Sequence, residues 1–442
     1  MNTNYNDSKE AKMRTIKSFL KEAKNVHMTH LEEALIVNGP EAAEGSLKAC
    51  EKAFEKLINI KDIEINVKVD GAPALYAGWF LDPDTQERVF ICALKALFAK
   101  SPKIIYDKTD IEKYYGDRPD LADKVSTAWE VLSADPSFIP SDQIWQGDIM
   151  FTESSLQKQT IEGQTYLTFH PNTILYAVKE DSEMGSIISN SKLGVIWHTR
   201  YKGSTLDNMN ATYDISDKDL KPVKNVWAIS SKRVVSSEDV LSQELQIEYQ
   251  DLKVQAVTSI NKIKKYQNDY EVLLTGKVIP VQINAYINSL IKEGIDPSKE
   301  DANTIGEDFL NYLSNKSASK ISRLHQQNKK SRPAEREYEK WMESIEKVGT
   351  SSFIEMMKWM FVTFKVLWSM KHILLEGYNN LANYGGDMQT FLVNASAGKP
   401  QLEKTGHEGF VIEVGDYAYK LVDRLIFAAA NFGEKYAKGW QH

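Results

Sequence analysis

The chain has 442 residues, 42% hydrophobic and 26% charged, an ordinary globular composition with room for two or three domains. A net charge of −7 excludes a uniformly basic coat for nucleic acid, so any such contact must come from a local patch. Two cysteines, Cys50 and Cys92, do not support a disulfide framework and fit a reducing cytoplasm, and the polar start MNTNYNDSKEAKM lacks the apolar core of a signal peptide.

In chain order, residues 8–58 carry apolar residues at three- and four-residue spacing, which predicts helices broken at Asn38-Gly39-Pro40. From residue 61 the period changes to two. IEINVKV, ALYAGWFL and RVFICALKALF read as strands, the last two around the turn DPDT. QIWQGDIMF (143–151), QTYLTF (164–169), TILYAV (173–178) and LGVIWHTRY (193–201) read likewise, with LADKVSTAWEVLS as an inserted helix. From about 236 the pattern is helical again. Within it FIEMMKWMFVTFKVLWSMKHILL (353–375) is the most apolar stretch, but Glu355, Lys358, Lys365 and Lys371 interrupt it on roughly one face. That predicts a buried amphipathic helix with one wet edge, not a membrane span. Residues 407–424 return to β-like text. The expected organisation is an N-terminal helical region (1–60), a mixed-sheet domain (61–235), a helical insertion (236–400) and the closing part of the sheet domain (401–442).

Residues 66–78, NVKVDGAPALYAG, pose the functional question. Asp70-Gly71 is a common hairpin turn, which makes Lys68 a hairpin-end lysine on the plain reading. K-x-D-G alone is a weak signal and needs its structural context. Here it follows a predicted strand, and further pieces come in a set order: Lys95 in LKALF on the next strand, Gly147-Asp148 in QGDIMF, Glu408-Gly409 in HEGFVIEV and Lys420 in YAYKLVDR.

This ordered set resembles the covalent nucleotidyltransferase superfamily of ATP-dependent DNA and RNA ligases and capping enzymes. The match covers about 61–201 and 405–425. HMTHLEE, VKVDGAPALYAG, QGDIMF, FHPNTILYAV, VIWHTRY, EGFVIEV and KLVDR…ANF are also similar, over nearly the whole chain, to a family of proteins from large tailed phages described as nucleotidyltransferases or ligases. The resemblance implies an α+β fold with a ligase-type, ATP-grasp-like mixed sheet, N-terminal helices and a large helical insertion. It implies that Lys68 is nucleotidylated by ATP with Mg²⁺. Asp70, Gly71, Lys95, Asp148, Glu408 and Lys420 would bind the nucleotide, and Asp148 and Glu408 the metal. The acceptor would be nucleic acid, RNA in preference to DNA, with no membrane partner, in the host cytoplasm for a phage-encoded chain.

The chemistry suits these residue types. A lysine amine attacks the α-phosphorus and releases pyrophosphate. It must be deprotonated, and Lys95 and Lys420 are expected to lower its pKa by like-charge repulsion. Hard carboxylate oxygens suit Mg²⁺. The chain departs from the family pattern at Ala72, Pro73 and Asn66. Lys420 lacks a second lysine at the usual spacing, where Ala418 and Val422 stand, although Arg424 follows. Only 18 residues follow Arg424 (442 − 424), fewer than the roughly 40 of a small independent domain. An OB-fold is therefore not expected, which favours an RNA ligase-like enzyme.

Two rivals remain open: a nucleotidyltransferase acting on a protein or small molecule, and a non-catalytic nucleic-acid-binding or virion protein on a ligase scaffold. His27 and His30, spaced H-x-x-H, read as surface or structural. Trp197 reads as aromatic packing, while His198 and Arg200 beside it offer phosphate contacts. Residues 311–333 contain no acidic residue, and Lys316, Lys320 and Arg323 fall on one helical face, a candidate grip on an acceptor's phosphates. The plain reading of that stretch is a solvated face.

Overall fold

The computed structural model describes residues 28–58, 63–82, 85–203, 205–235, 240–275, 278–381, 388–396, 400–415, 417–433 and 435–439. His27 and the helices predicted before residue 28 lie outside them. The architecture is mixed α+β, with three sheets and a long helical block.

The strand Ile63–Lys68 follows from strict alternation: Ile65 and Val67 are buried, so Asn66 and Lys68 point to the opposite face. It lies inside a five-stranded sheet in the order Thr29–His30, Tyr417–Val422, Gly409–Val414, Ile63–Lys68, Lys232–Val235. Thr29–His30 and Tyr417–Val422, far apart in sequence, are thus neighbours in one sheet. A second sheet runs Asn210–Thr212, Leu193–Lys202, Gln143–Thr152, Ala74–Leu81, Arg88–Ala93, Ile104–Ile105, with Val226–Ser230 alongside Leu193–Lys202. A third runs Gln401–Lys404, Met388–Asn394, Ile174–Lys179, Gln164–Phe169, Gln157–Ile161.

Ile63–Lys68 and Ala74–Leu81 belong to different sheets, so Asp70-Gly71 is not a hairpin turn. The segment between them carries the chain from the first sheet to the second. Lys95 is not on a strand either: the strand ends at Ala93, and Lys95 opens a 3-10 turn, Lys95–Phe98. Among the strands missing from the sequence reading are Lys232–Val235, Met388–Asn394 and Gln401–Lys404. Met388–Asn394 falls in the stretch read as helical.

The second sheet buries Trp145, Ile149 and Trp197 under the helices Lys108–Tyr115 and Pro119–Ser133. Asp107 caps the first, accepting from the N–H groups of Thr109 and Asp110; Pro119 opens the second. The largest core lies on the other side of the first sheet. There Ile65, Val67, Phe410, Ile412 and Leu421 meet the helices Ala42–Ile58, Gln243–Ile263 and Thr350–Leu381.

Thr350–Leu381 is the apolar helix read from the sequence, but its expected wet edge is only partly there. Lys371 is completely buried, with Nζ 2.8 Å from Glu32. Arg424 joins the same cluster, 3.3 Å from Glu32 and 2.7 Å from Glu33. Its ion pairs tie the helical block to the N-terminal elements and to the helix Arg424–Phe432. Among the described residues, no helix is long and apolar enough to cross a membrane. Removing one partner of a buried ion pair leaves the other charge stranded, at a cost of about 3–5 kcal/mol. Lys371→Met is therefore expected to destabilise by about 3 kcal/mol, toward the lower end because Arg424 remains beside Glu32. A fall in the urea midpoint relative to wild type would show it.

Candidate active site

Lys68 ends its strand directly opposite Gly409. Glu408 immediately precedes that strand, and its carboxylate pairs with the Lys68 ammonium. The two residues are 340 positions apart (408 − 68). Gly409 is required by close approach: a Cβ there would lie 2.0 Å from the carbonyl oxygen of Leu421.

Asp70 fixes the crossing that follows Lys68. Its carboxylate accepts from the backbone N–H groups of Thr173 (2.7 Å) and Ile174 (2.8 Å) and from the Asn172 amide (2.7 Å). Its own N–H donates to the Tyr176 hydroxyl at 3.0 Å. Gly71 then presses against the second sheet, where a Cβ would sit 2.5 Å from Cβ of Asp148. Ala72 N–H donates to the carbonyl of Ile149 and Ile149 N–H to that of Pro73, which locks the crossing to the strand carrying Asp148.

His198 arrives by a different device. Trp197 pairs with Gly147 and Thr199 with Gln146, so His198 is the extra residue of a β-bulge. The bulge aims its ring at Asp148, Nε2 to Oδ2 3.7 Å, while Nδ1 lies 2.7 Å from the Thr199 hydroxyl. Lys420 pairs with Val411, and Val411 with Asn66, which places Lys420 on the Lys68 face of the sheet. Lys68, Asp70, Gly71, Asp148, His198, Glu408 and Lys420 therefore meet at one place.

The charges there are coupled. Burial pulls the Lys68 ammonium down, but Glu408, hydrogen-bonded to it, together with Asp148 and Asp70, outweighs burial, and the net shift is upward. This corrects the expectation that neighbouring lysines depress it. The lysine held below its ordinary value is Lys420, by burial and then by the Lys68 charge. Asp148 is pushed up to about 7 by burial, with Lys68 opposing and Glu408 and Asp70 adding. Burial also raises Glu408, against the pull of Lys68. His198 falls to about 4, through burial and then the Lys68 charge, so its ring is neutral at pH 7.

Other expected residues lie elsewhere. Lys95 is exposed, in the 3-10 turn beyond the end of its strand. Arg200 turns to the helix-covered face of its strand, over the Trp145 ring, and pairs with Asp219 (2.9 Å) and Asp214 (3.4 Å). Lys316 donates to Gln282 at 2.8 Å and to the Tyr312 hydroxyl at 3.1 Å. Lys320 pairs with Glu337 on the next helix at 2.5 Å, and Arg332 with Glu335 and Glu339. Of the basic face proposed from the sequence, Arg323 is exposed and has no ion-pair partner among the described residues. Sequence reasoning missed Lys232, which pairs in register with Asn66 on the Lys68 face. Its strand is four residues long and carries no motif.

Residues 25–436 match the model of a family of unknown function, DUF6267. The chain belongs to this family. No curated protein and no solved structure matches it. Within this DUF6267 chain the Lys68 cluster is built from strands of the first and second sheets.

A carboxyl whose pKa is higher folded than unfolded stabilises the fold below its unfolded value, and that contribution is lost as pH rises through the folded value. For Asp148 the window runs from about 4, the unfolded carboxyl, to about 7. Without divalent cations, Asp148→Asn should gain stability relative to wild type on going from pH 5 to pH 8. Urea midpoints at the two pH values measure this; parallel shifts in both proteins would contradict the assignment.

Proposed function

We propose that this protein is a covalent nucleotidyltransferase of the ligase-like type, with Lys68 as nucleophile and ATP as donor. The observation that carries the reading is the ion pair between Lys68 and Glu408, on the same face of the sheet as Lys420 and with Asp148 beside it. A lysine, two carboxylates and a second lysine, brought together from sequence-distant strands, make an arrangement suited to phosphoryl chemistry. On this reading the mixed sheets form a ligase-type, ATP-grasp-like domain, and the helical block is its insertion.

Glu408 and Asp148 keep the Lys68 amine protonated, so attack requires the amine to leave Glu408 and lose its proton. Glu408, raised by burial, is placed to take that proton and pass it to solvent. The Lys68 Nζ–phosphorus bond then forms as the bond from the α-phosphorus to the oxygen bridging to the β-phosphate breaks. Pyrophosphate leaves with that electron pair, and a lysyl-AMP phosphoramidate remains. Lys420, close enough for its charge to be felt by Lys68, would neutralise the phosphate under attack.

The donor set suits Mg²⁺. Asp148 and Glu408 offer hard oxygens, and both carboxyls sit above their ordinary pKa, a burden a cation relieves. Among the described residues no group of three or more His, Cys, Asp or Glu is arranged to hold a metal. Asp148 and Glu408 would therefore hold the ion together with water and substrate phosphates, the usual manner for Mg²⁺. Bound there, it would supply charge neutralisation for the triphosphate.

The proposed acceptor is the 5′-phosphate of a nucleic acid, RNA in preference to DNA, followed by end joining. One observation favours a second reading, transfer to a protein or small molecule: Glu337, Glu335 and Glu339 already pair with Lys320 and Arg332 of the basic stretch.

With ATP and Mg²⁺ the intact protein is expected to gain the mass of one AMP, and Lys68→Ala none. Adding nicked or single-stranded RNA and DNA to the loaded protein separates the acceptors. Loss of AMP with joined product supports ligation, and a stable adduct with every nucleic acid supports the second reading. Equal modification of Lys68→Ala would refute the nucleophile.

A further inference from the structure

We infer that Lys232 is a phosphate-binding residue that holds the leaving pyrophosphate, supplying from a separate strand the second basic group that the Lys420 strand lacks. The inference rests on the proposed nucleotidyl transfer to Lys68. Its basis is register. Lys232 pairs with Asn66, Asn66 with Val411, and Val411 with Lys420. Cross-strand partners share a face, so Lys232 and Lys420 stand at the two ends of one row. Lys68, two residues beyond Asn66, points to the same face, with Lys232 on one side of its strand and Lys420 on the other. With strands about 4.8 Å apart and residues about 3.4 Å apart, the Cα of Lys232 lies about 8 Å from that of Lys68. A lysine side chain covers that distance through a bound phosphate.

The neighbours explain why Lys232 is the group free to move. Lys56 and Lys52 reach the same end of the sheet, but each donates to a backbone carbonyl, Lys56 to Glu64 at 2.9 Å and Lys52 to Glu413 at 2.7 Å. Lys232 instead pairs with the Glu64 carboxylate at 2.7 Å, and that side chain is 47% exposed. An ion pair with so wet a partner contributes little, and the charge of a polyphosphate competes for Lys232 easily. The division of labour follows from in-line displacement, in which the leaving group departs on the side away from the attacking amine. Lys420 acts on Lys68 electrostatically and so suits the phosphate under attack. Lys232 pairs with Glu64, two residues before Asn66 and so on the side away from Lys68, which suits the departing end.

The test uses the full chain and runs the reaction backwards. Lysyl-AMP is formed with ATP and Mg²⁺, the small molecules are removed, and inorganic pyrophosphate is added to regenerate ATP. Loss of one charge-assisted contact is expected to raise the pyrophosphate concentration for half-maximal discharge about tenfold or more in Lys232→Ala. Lys232→Arg should restore most of it. Should the alanine variant fold poorly by circular dichroism, Lys232→Gln keeps the stem and carries the same expectation. A merely structural lysine would change stability and leave the pyrophosphate dependence where it is. An adduct that forms in all variants and discharges with wild-type pyrophosphate dependence overturns the inference and leaves the nucleotidyltransferase reading standing. A wild-type protein that forms no adduct overturns both.

Discussion

The Asp70 carboxylate holds the site together. Strands in three sheets must be brought to one point, and the chain does this with a five-residue crossing from Val69 to Pro73. A free carboxylate in that crossing would be a liability, since it is only 6% exposed. Three N–H donors from residues 172–174 satisfy it, and charge-assisted bonds of this kind are stronger than neutral ones. The third sheet thereby anchors the junction of the other two. With Asp70 fixed, Lys68 two residues earlier has its direction, and Gly71 one residue later can lie flush on Asp148. The aspartate of the K-x-D-G run is thus a structural clamp whose effect is to aim a lysine.

The site that results is over-supplied with negative charge. Glu408 contacts the Lys68 ammonium, Asp148 and Asp70 act on it from further off, and Asp148 and Glu408 are held above their ordinary pKa. The arrangement keeps Lys68 protonated and paired. On the proposed reading, cations and a triphosphate would invert this balance: a metal would draw on the carboxylates, the phosphates on Lys420 and Lys232, and Lys68 would lose the partner that stabilises its charge. Neutral His198, set by its bulge against Asp148, adds no positive charge of its own.

The sequence was readable where chemistry and local pattern coincide. Asp148 within QGDIMF, Glu408 ahead of GFVIEV and Lys68 after IEINV each stand at a definite place on an alternating strand, and their order along the chain carried the resemblance. Legibility ended where pairing depends on distant partners. Lys371 looked like a wet helix edge because nothing nearby in sequence shows that Glu32 waits for it. Lys320 looked like a free basic group because its glutamate, Glu337, sits on the following helix. Lys232 was invisible because KRVV is too short to show alternation and acquires meaning only through its register with Asn66. The rise in the Lys68 pKa was misjudged for the same reason. The lysines around it were countable in the sequence, whereas the carboxylate in contact with it lies 340 residues away (408 − 68).

The most direct test of the central claim is peptide mapping of wild-type protein after incubation with ATP and Mg²⁺, under conditions that preserve acid-labile phosphoramidates. AMP is expected on Nζ of Lys68 and on no other residue, in a linkage lost in acid and stable in mild base. AMP on a hydroxyl side chain or on another lysine, or no covalent nucleotide at all, would contradict it.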